Sequence, residues 1–272
     1  MSQLIVNRKE IVQNYLQAIN LGYKNLDFNF LKNLVKQHVA TFAFSSVGCQ
    51  LGDELPLDLE SLYQRIVVKK RGGYCFEQNG LLFEILDELG FAPKLYLARV
   101  IYNQNTHPGL THRISVINYD HENYVMDVGF GPDGPRIPVA LSGIEMKDGD
   151  KIFRIAEKEA DEYHMQVLKN GAFFSLYRFE LARYGQADCE LGHFYSHKHP
   201  KANFVNHLVV SLINEKEIRS LRDLEYWVIT NSNTHRQEVD NYQRLKTILV
   251  DELGVQVNEN EARQLYDGLV IS

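Results

Sequence analysis

Apolar residues recur at helical spacing over the first ninety positions, and the period then shortens to two. Ile11, Tyr15, Leu16 and Ile19 mark the first buried stripe, and Asn7 followed by Glu10 has the form of a capping box at its start. Leu31, Leu34 and Val35 predict a second helix over 30–39. After a loop with Gly48, Gly52 and Pro56, a third amphipathic stretch carries Leu59, Leu62, Ile66 and Val67. Leu81, Leu82, Ile85, Leu86 and Leu89 predict a fourth helix, running from Cys75 to a stop at Gly90.

From Lys94 the alternation predicts strands over 95–102, 112–117 and 124–128. Two more, over 163–168 and 172–179, flank Asn170-Gly171, a dipeptide suited to a two-residue hairpin turn. The middle hundred residues therefore read as antiparallel sheet, of a kind that can close into a small barrel. Beyond residue 200 the pattern mixes: a strand over 204–213, a helix over 241–252, and a short final helix capped by Asn258 with Glu261. Helices first and strands later, without βαβ alternation, predict the α+β class.

Composition adds exclusions. With 272 residues, 44% apolar and 24% charged, the chain can bury a sizeable core and is not of disordered type. No apolar run reaches membrane-spanning length, and the first eight residues lack a leader's basic-then-apolar layout. Three cysteines argue against a disulfide framework and for a reducing, cytoplasmic setting. A net charge of −6 without a basic stripe argues against nucleic acid as a partner, and nothing suggests a membrane.

Candidate chemistry begins at Arg71-Gly-Gly-Tyr-Cys-Phe-Glu-Gln-Asn79. It places the Cys75 thiol on a glycine-hinged turn at a helix N-terminus, where the helix dipole favours thiolate. Cys49 and Cys189 lack such a context and read as structural. A cysteine nucleophile needs a base, and the base needs an orienting acceptor. His112 opens one predicted strand and Asp127 closes the next. A four-residue loop over 118–121 would set Ile117 opposite Glu122 and hence His112 opposite Asp127, on one sheet face. That geometry suits a bond from His112 Nδ1–H to the carboxylate. Taken singly, a strand histidine is more often structural, and an acid before Val128-Gly129 can serve turn amides. Their joint occurrence after the Cys75 turn is what points to an active site. The pair His197 and His199 lacks the further ligands of a metal site.

These blocks, with Thr111-His112 and Asp127-Val-Gly-Phe-Gly131, resemble the signature of the arylamine N-acetyltransferases. The order Cys, His, Asp is similar too, and Leu89-Gly90-Phe91 is similar to the family's helix ending. The likeness is good over about residues 8–140 and thinner beyond. It implies a cysteine-protease-like core: an N-terminal helical bundle (1–91), a central antiparallel β-barrel (92–198) and a C-terminal α/β lid (199–272). It implies ping-pong transfer of acetyl from acetyl-CoA to arylamines, N-hydroxyarylamines or hydrazines, as in xenobiotic metabolism. Cys75 would then be the nucleophile, His112 the base, Asp127 its partner, and Arg71 an ion-paired structural residue. Gly109, Thr111, Gly129, Phe130 and Gly131 would border coenzyme A, with Phe44, Phe130 and Phe204 around the acceptor and no metal. Phe42-Ala-Phe-Ser-Ser46 departs from the family's Ile-Pro-Phe-Glu-Asn but keeps the aromatic Phe44. The same triad would also fit a protease- or transglutaminase-like cysteine hydrolase, and a degenerate site a non-catalytic CoA-binding module.

Overall fold

The computed structural model describes residues 7–22 and 25–271. Residues 1–6, part of the segment read as no leader, lie outside the described residues. Helix α1 (Arg8–Ala18) starts where expected, but Asn7 caps the Lys9 N–H at 3.2 Å instead of boxing with Glu10. α2 (Phe28–Thr41) starts two residues before the expected position, because Asp27 Oδ1 takes the Phe30 N–H at 2.8 Å. After β1 (Phe44–Ser45) and α3 (Val47–Leu51), α4 (Leu59–Tyr63) runs into a wider π turn, Gln64–Val68. α5 (Cys75–Glu88) ends before Gly90, whose φ of +86° turns the chain out of the helix. The apolar stripes of these helices merge into one core that also takes Ile117 and Met126 from the following sheet.

That sheet holds β2 (Lys94–Val100), β3 (His112–Tyr119), β4 (Glu122–Met126), β5 (Val139–Ala140), β6 (Met146–Asp148), β7 (Lys151–Glu159), β8 (Glu162–Lys169) and β9 (Ala172–Glu180). The order is β5-β4-β3-β2-β9-β8-β7-β6. β5 also lies against β7, so the sheet curls nearly closed around Ile114, Phe153, Ile155, Val167 and Leu176. The Asn170-Gly171 turn forms as expected, with φ of +52° and +80° and Lys169 opposite Ala172. β7 escapes sequence reading because its outer half is charged and only Phe153 and Ile155 face fully inward.

The β3–β4 register corrects the sequence expectation. Tyr119 pairs with Glu122, so the loop is the two residues Asp120 and His121, both at positive φ (+48° and +65°). Such a primed turn matches the strand twist better than four residues would. The slip is two residues, so every side chain keeps its predicted face. His112 and Asp127 are diagonal neighbours just past the paired rungs, not directly opposed.

The chain then runs through α6 (Gln186–Lys198), α7 (Asn203–Asn206), β10 (Val209–Ile213), β11 (Glu217–Arg222), β12 (Glu225–Thr230) and β13 (Thr234–Glu238). α8 (Tyr242–Thr247), a π turn (Ile248–Glu252) and α9 (Glu259–Ile271) follow. The strand expected over 204–213 begins only at Val209, because the Gln50 amide ties the carbonyls of Phe204 and Val205 at 2.9 Å into a helical turn. β1 pairs with β10, Phe44 against Ser211, so a segment of the helical region joins the second sheet, β1-β10-β11-β12-β13. Asn258 and Glu261 cap α9 reciprocally at 2.8 and 3.0 Å, as expected. Among the described residues, no helix is long and apolar enough to cross a membrane.

Candidate active site

Gly72, at φ +67°, makes the turn before α5; a Cβ there would stand 2.5 Å from the Ala43 carbonyl oxygen. Tyr74 donates its N–H to Glu77 Oε2 at 3.2 Å, and Glu77 is ion-paired with Arg65 at 2.9 Å. Burial raises the Glu77 carboxyl to about 7 against the pull of Arg65. Cys75 is therefore fixed at the first helical position. Its Sγ donates to the Thr111 carbonyl oxygen at 3.4 Å, and the sulfur is near enough to the His112 ring to help raise that ring's pKa. Arg71, on the same turn, reaches Glu261 Oε2 and the Gln256 carbonyl, both at 2.8 Å, as an ion-paired structural residue should.

His112 Nε2 meets Asp127 Oδ2 at 2.8 Å. The expected nitrogen was Nδ1; the ring is turned the other way, which leaves Nδ1 for Cys75. Asp127 Oδ1 accepts from Asn79 Nδ2 at 2.8 Å and from the Gly129 N–H at 2.9 Å. Burial alone would raise this carboxyl, but the His112 charge and these hydrogen bonds outweigh it and hold it below the usual range. Burial likewise works against a charged His112, yet Asp127, with Cys75, raises its pKa well above the ordinary value. The favoured state is an imidazolium between carboxylate and sulfur. Phe130 and Tyr177 box the ring, at centroid distances of 5.4 and 4.9 Å.

Sequence reasoning assigned no role to Asn79 or Tyr177. Asn79 lies four residues after Cys75, hence on the same helix face, and that signal was available. Its Oδ1 takes the Val128 N–H at 2.8 Å and its Nδ2 also meets the Arg113 carbonyl at 2.6 Å, so one amide spans α5 and both strands. Tyr177 is one inward residue among many in β9, and no sequence signal marks it.

Gly129 is required by close approach: a Cβ there would stand 2.7 Å from Cys75 Cα and 2.8 Å from Asn79 Nδ2. We expect Gly129→Ala to cut turnover by about 10²-fold, the scale of a displacement near 1 Å at a reacting centre. Steady-state kinetics beside an unchanged far-ultraviolet dichroism spectrum would check this; full activity would contradict it.

A cavity of about 540 Å³ opens in front of the thiol. Phe44, Phe130 and Phe204 all line it, together with Thr111, His112 and Gly129. The Phe44 and Phe204 rings are 5.6 Å apart. Tyr102, Tyr195 and Arg222 complete it and were not foreseen, since Arg222 comes from the unpredicted β11. Gly131, at φ +88°, turns the loop behind Phe44 beside Ser211 and does not line this cavity. Gly109 is exposed and outside it as well. His197 Nδ1 bonds the His193 carbonyl at 2.6 Å, and His199 stacks on Tyr195.

A family profile described as N-acetyltransferase matches residues 27–262. An arylamine N-acetyltransferase of Escherichia coli is 32% identical over 203 residues, covering 74% of this chain and 72% of that protein. One from Mycolicibacterium smegmatis is 27% identical over 259 residues, covering 92% and 94%. The solved arylamine N-acetyltransferase of Salmonella typhimurium superposes with a TM-score of 0.90, covering 96% of this chain and 98% of that one at 23% identity, which speaks for a shared fold.

Proposed function

This chain belongs to the arylamine N-acetyltransferase family, and from that premise we propose that it moves acetyl from acetyl-CoA to arylamine, N-hydroxyarylamine or hydrazine acceptors through an acetyl-cysteine. The observation that carries the reading is His112, bonded to Asp127 at 2.8 Å and lining the same aromatic-walled cavity as Cys75.

Acetyl-CoA is the donor substrate and supplies a thioester carbonyl. Cys75 serves as thiolate, with His112 holding the proton and Asp127 holding His112 in place. The sulfur attacks the carbonyl, the carbon–sulfur bond to the coenzyme breaks, and the departing coenzyme sulfur takes the proton from His112 and leaves as thiol, so that His112 is neutral for the next step. His112 then takes the proton of the incoming amine as its nitrogen attacks acetyl-Cys75. Arylamines and hydrazines suit this step because they remain largely uncharged nucleophiles at neutral pH. First-turn N–H groups of α5 serve as oxyanion donors, each worth about 10²–10³ in rate. The aromatic walls favour flat acceptors, since an edge or stacked ring contact adds about 0.5–1.5 kcal/mol. Phe44, Phe130 and Phe204 form those walls, while Thr111 and Gly129 border the acyl donor.

The division into a bundle over 1–91, a barrel over 92–198 and a lid over 199–272 belongs to the same reading. Three free, buried cysteines support a reducing, cytoplasmic setting, and the net negative charge supports small molecules over nucleic acid or membrane as partners. A role in xenobiotic metabolism follows from the acceptor class.

Mass spectrometry after mixing with acetyl-CoA tests the proposal. The expected result is one acetyl group on the peptide containing Cys75, lost on adding an aniline with formation of the N-acetyl product. An enzyme that stays unmodified, or one that cleaves peptides instead, would refute it.

A further inference from the structure

Behind the nucleophile helix, on the side away from the cavity, lies an open groove of about 940 Å³. Its base is Arg113. Strand alternation explains the placement: His112 faces the cavity, so Arg113, the next residue of β3, faces the opposite way. Arg113 is 3% exposed, and among the described residues no carboxylate lies within ion-pair distance of it. Its Nε has no hydrogen-bond partner. The one ring contact is Phe83, whose centroid lies 5.2 Å from the guanidinium carbon.

A buried cation without a counter-ion is costly, because desolvation is not offset. The fold nevertheless makes room for it. Gly80 sits inside α5, where glycine disfavours the helix, and a Cβ there would stand 3.3 Å from Arg113 Nη1. The remaining groove surface comes largely from Leu55, Leu57, Phe83, Leu95 and Tyr184, so it is mainly apolar.

The carboxylates around the groove do not complete the pair. Glu84 acts on Arg113 through its charge at a distance beyond an ion pair and is engaged by Arg8 at 2.9 Å, and Asp58 caps Ser61 at 3.0 Å. Glu190 stands exposed on α6. Together they make the rim acidic, which disfavours polyanions such as phosphates while leaving the guanidinium open to a single charge.

We propose that this groove is a second ligand site, which takes an apolar monocarboxylate with its carboxyl on Arg113 and its hydrocarbon along the leucine wall. The site stands apart from the acetyl-transfer reading and requires no reaction. It adjoins the triad on two sides. Arg113 follows His112 in the chain, and groove-lining His193 bonds the hydroxyl of Tyr74, the residue before Cys75.

Titration with hexanoate, followed by calorimetry and protein NMR, tests it. Wild type should bind one equivalent saturably, and hexanamide should bind at least tenfold more weakly. Arg113→Met should abolish binding. Gln186→Trp, on the exposed rim where folding is not at stake, should weaken it at least tenfold by filling the groove. Phe204→Ala, in the other cavity, should leave it unchanged. The proposal is overturned if wild type shows no saturable binding, or if binding survives Gln186→Trp and Arg113→Met. It is overturned equally if Phe204→Ala removes binding, since the carboxylate then sits before the thiol.

Discussion

Cys75→Ala should abolish acetyl transfer, with turnover falling by a factor on the order of 10⁴ or more, while the fold is retained. Removing the nucleophile from a unit of this kind costs about as much as removing the whole unit. Here the loss should be steeper than for a hydrolase. Water can still attack a bound substrate directly, but a ping-pong transfer has no covalent carrier once the sulfur is gone. The side chain is buried and small, and Ala fills most of its space, so stability should change little. Product formation from acetyl-CoA and an aniline, beside thermal unfolding, checks both halves. Substantial turnover by this variant would move the chemistry to another residue.

The next largest effect is expected for Asp127→Asn. Oδ1 accepts from Asn79 and Gly129, so the new amide must keep its oxygen there and turn its NH₂ toward His112. An NH₂ donor facing Nε2 forces that nitrogen to become the acceptor, and the proton moves to Nδ1, the atom that faces Cys75. The imidazole then holds a proton where it must take one. In other triads this wrong tautomer costs about 10⁴ in kcat, and a similar loss is expected here.

A pH signature separates this from mere misfolding. Asp127 raises His112 in the folded protein, so the pair stabilises the fold below the unfolded histidine value of about 6.5. That contribution disappears as pH rises through the folded value. The stability difference between wild type and Asp127→Asn should therefore be larger at pH 6 than in strongly alkaline solution. Iodoacetamide labelling of Cys75 at neutral pH should also slow, because the still-buried His112 loses its counter-charge. A variant that labels at the wild-type rate and shows a pH-independent stability difference would remove Asp127 from the mechanism.

Periodicity alone located α5, whose leucine stripe faces the helical core, and the strand bearing His112, which is buried on both faces between that core and the barrel interior. It missed α6, whose large apolar residues Leu191 and Phe194 are 73% and 65% exposed and so trace no inward stripe. It missed β11 and β13, half-open strands that carry as many charges as a loop, and with them β12, whose Tyr226–Ile229 run is short and lies between them. The His112–Asp127 contact was reached through the wrong register and survived because a two-residue slip preserves face. Phe204 was read on a strand, but it reaches the cavity on a short helix held by Gln50. Arg222 and Tyr195 enter from segments whose approach is set by long-range pairing, which no local pattern encodes.

One tether has a consequence for synthesis. The guanidinium beside the reactive turn is anchored on a helix that the ribosome makes almost two hundred residues later. An emerging chain therefore carries the turn for most of translation without this distant anchor. Shortening the polypeptide from its carboxyl end by the last helix would strip that anchor away while leaving the sulfur and its immediate neighbours in the sequence.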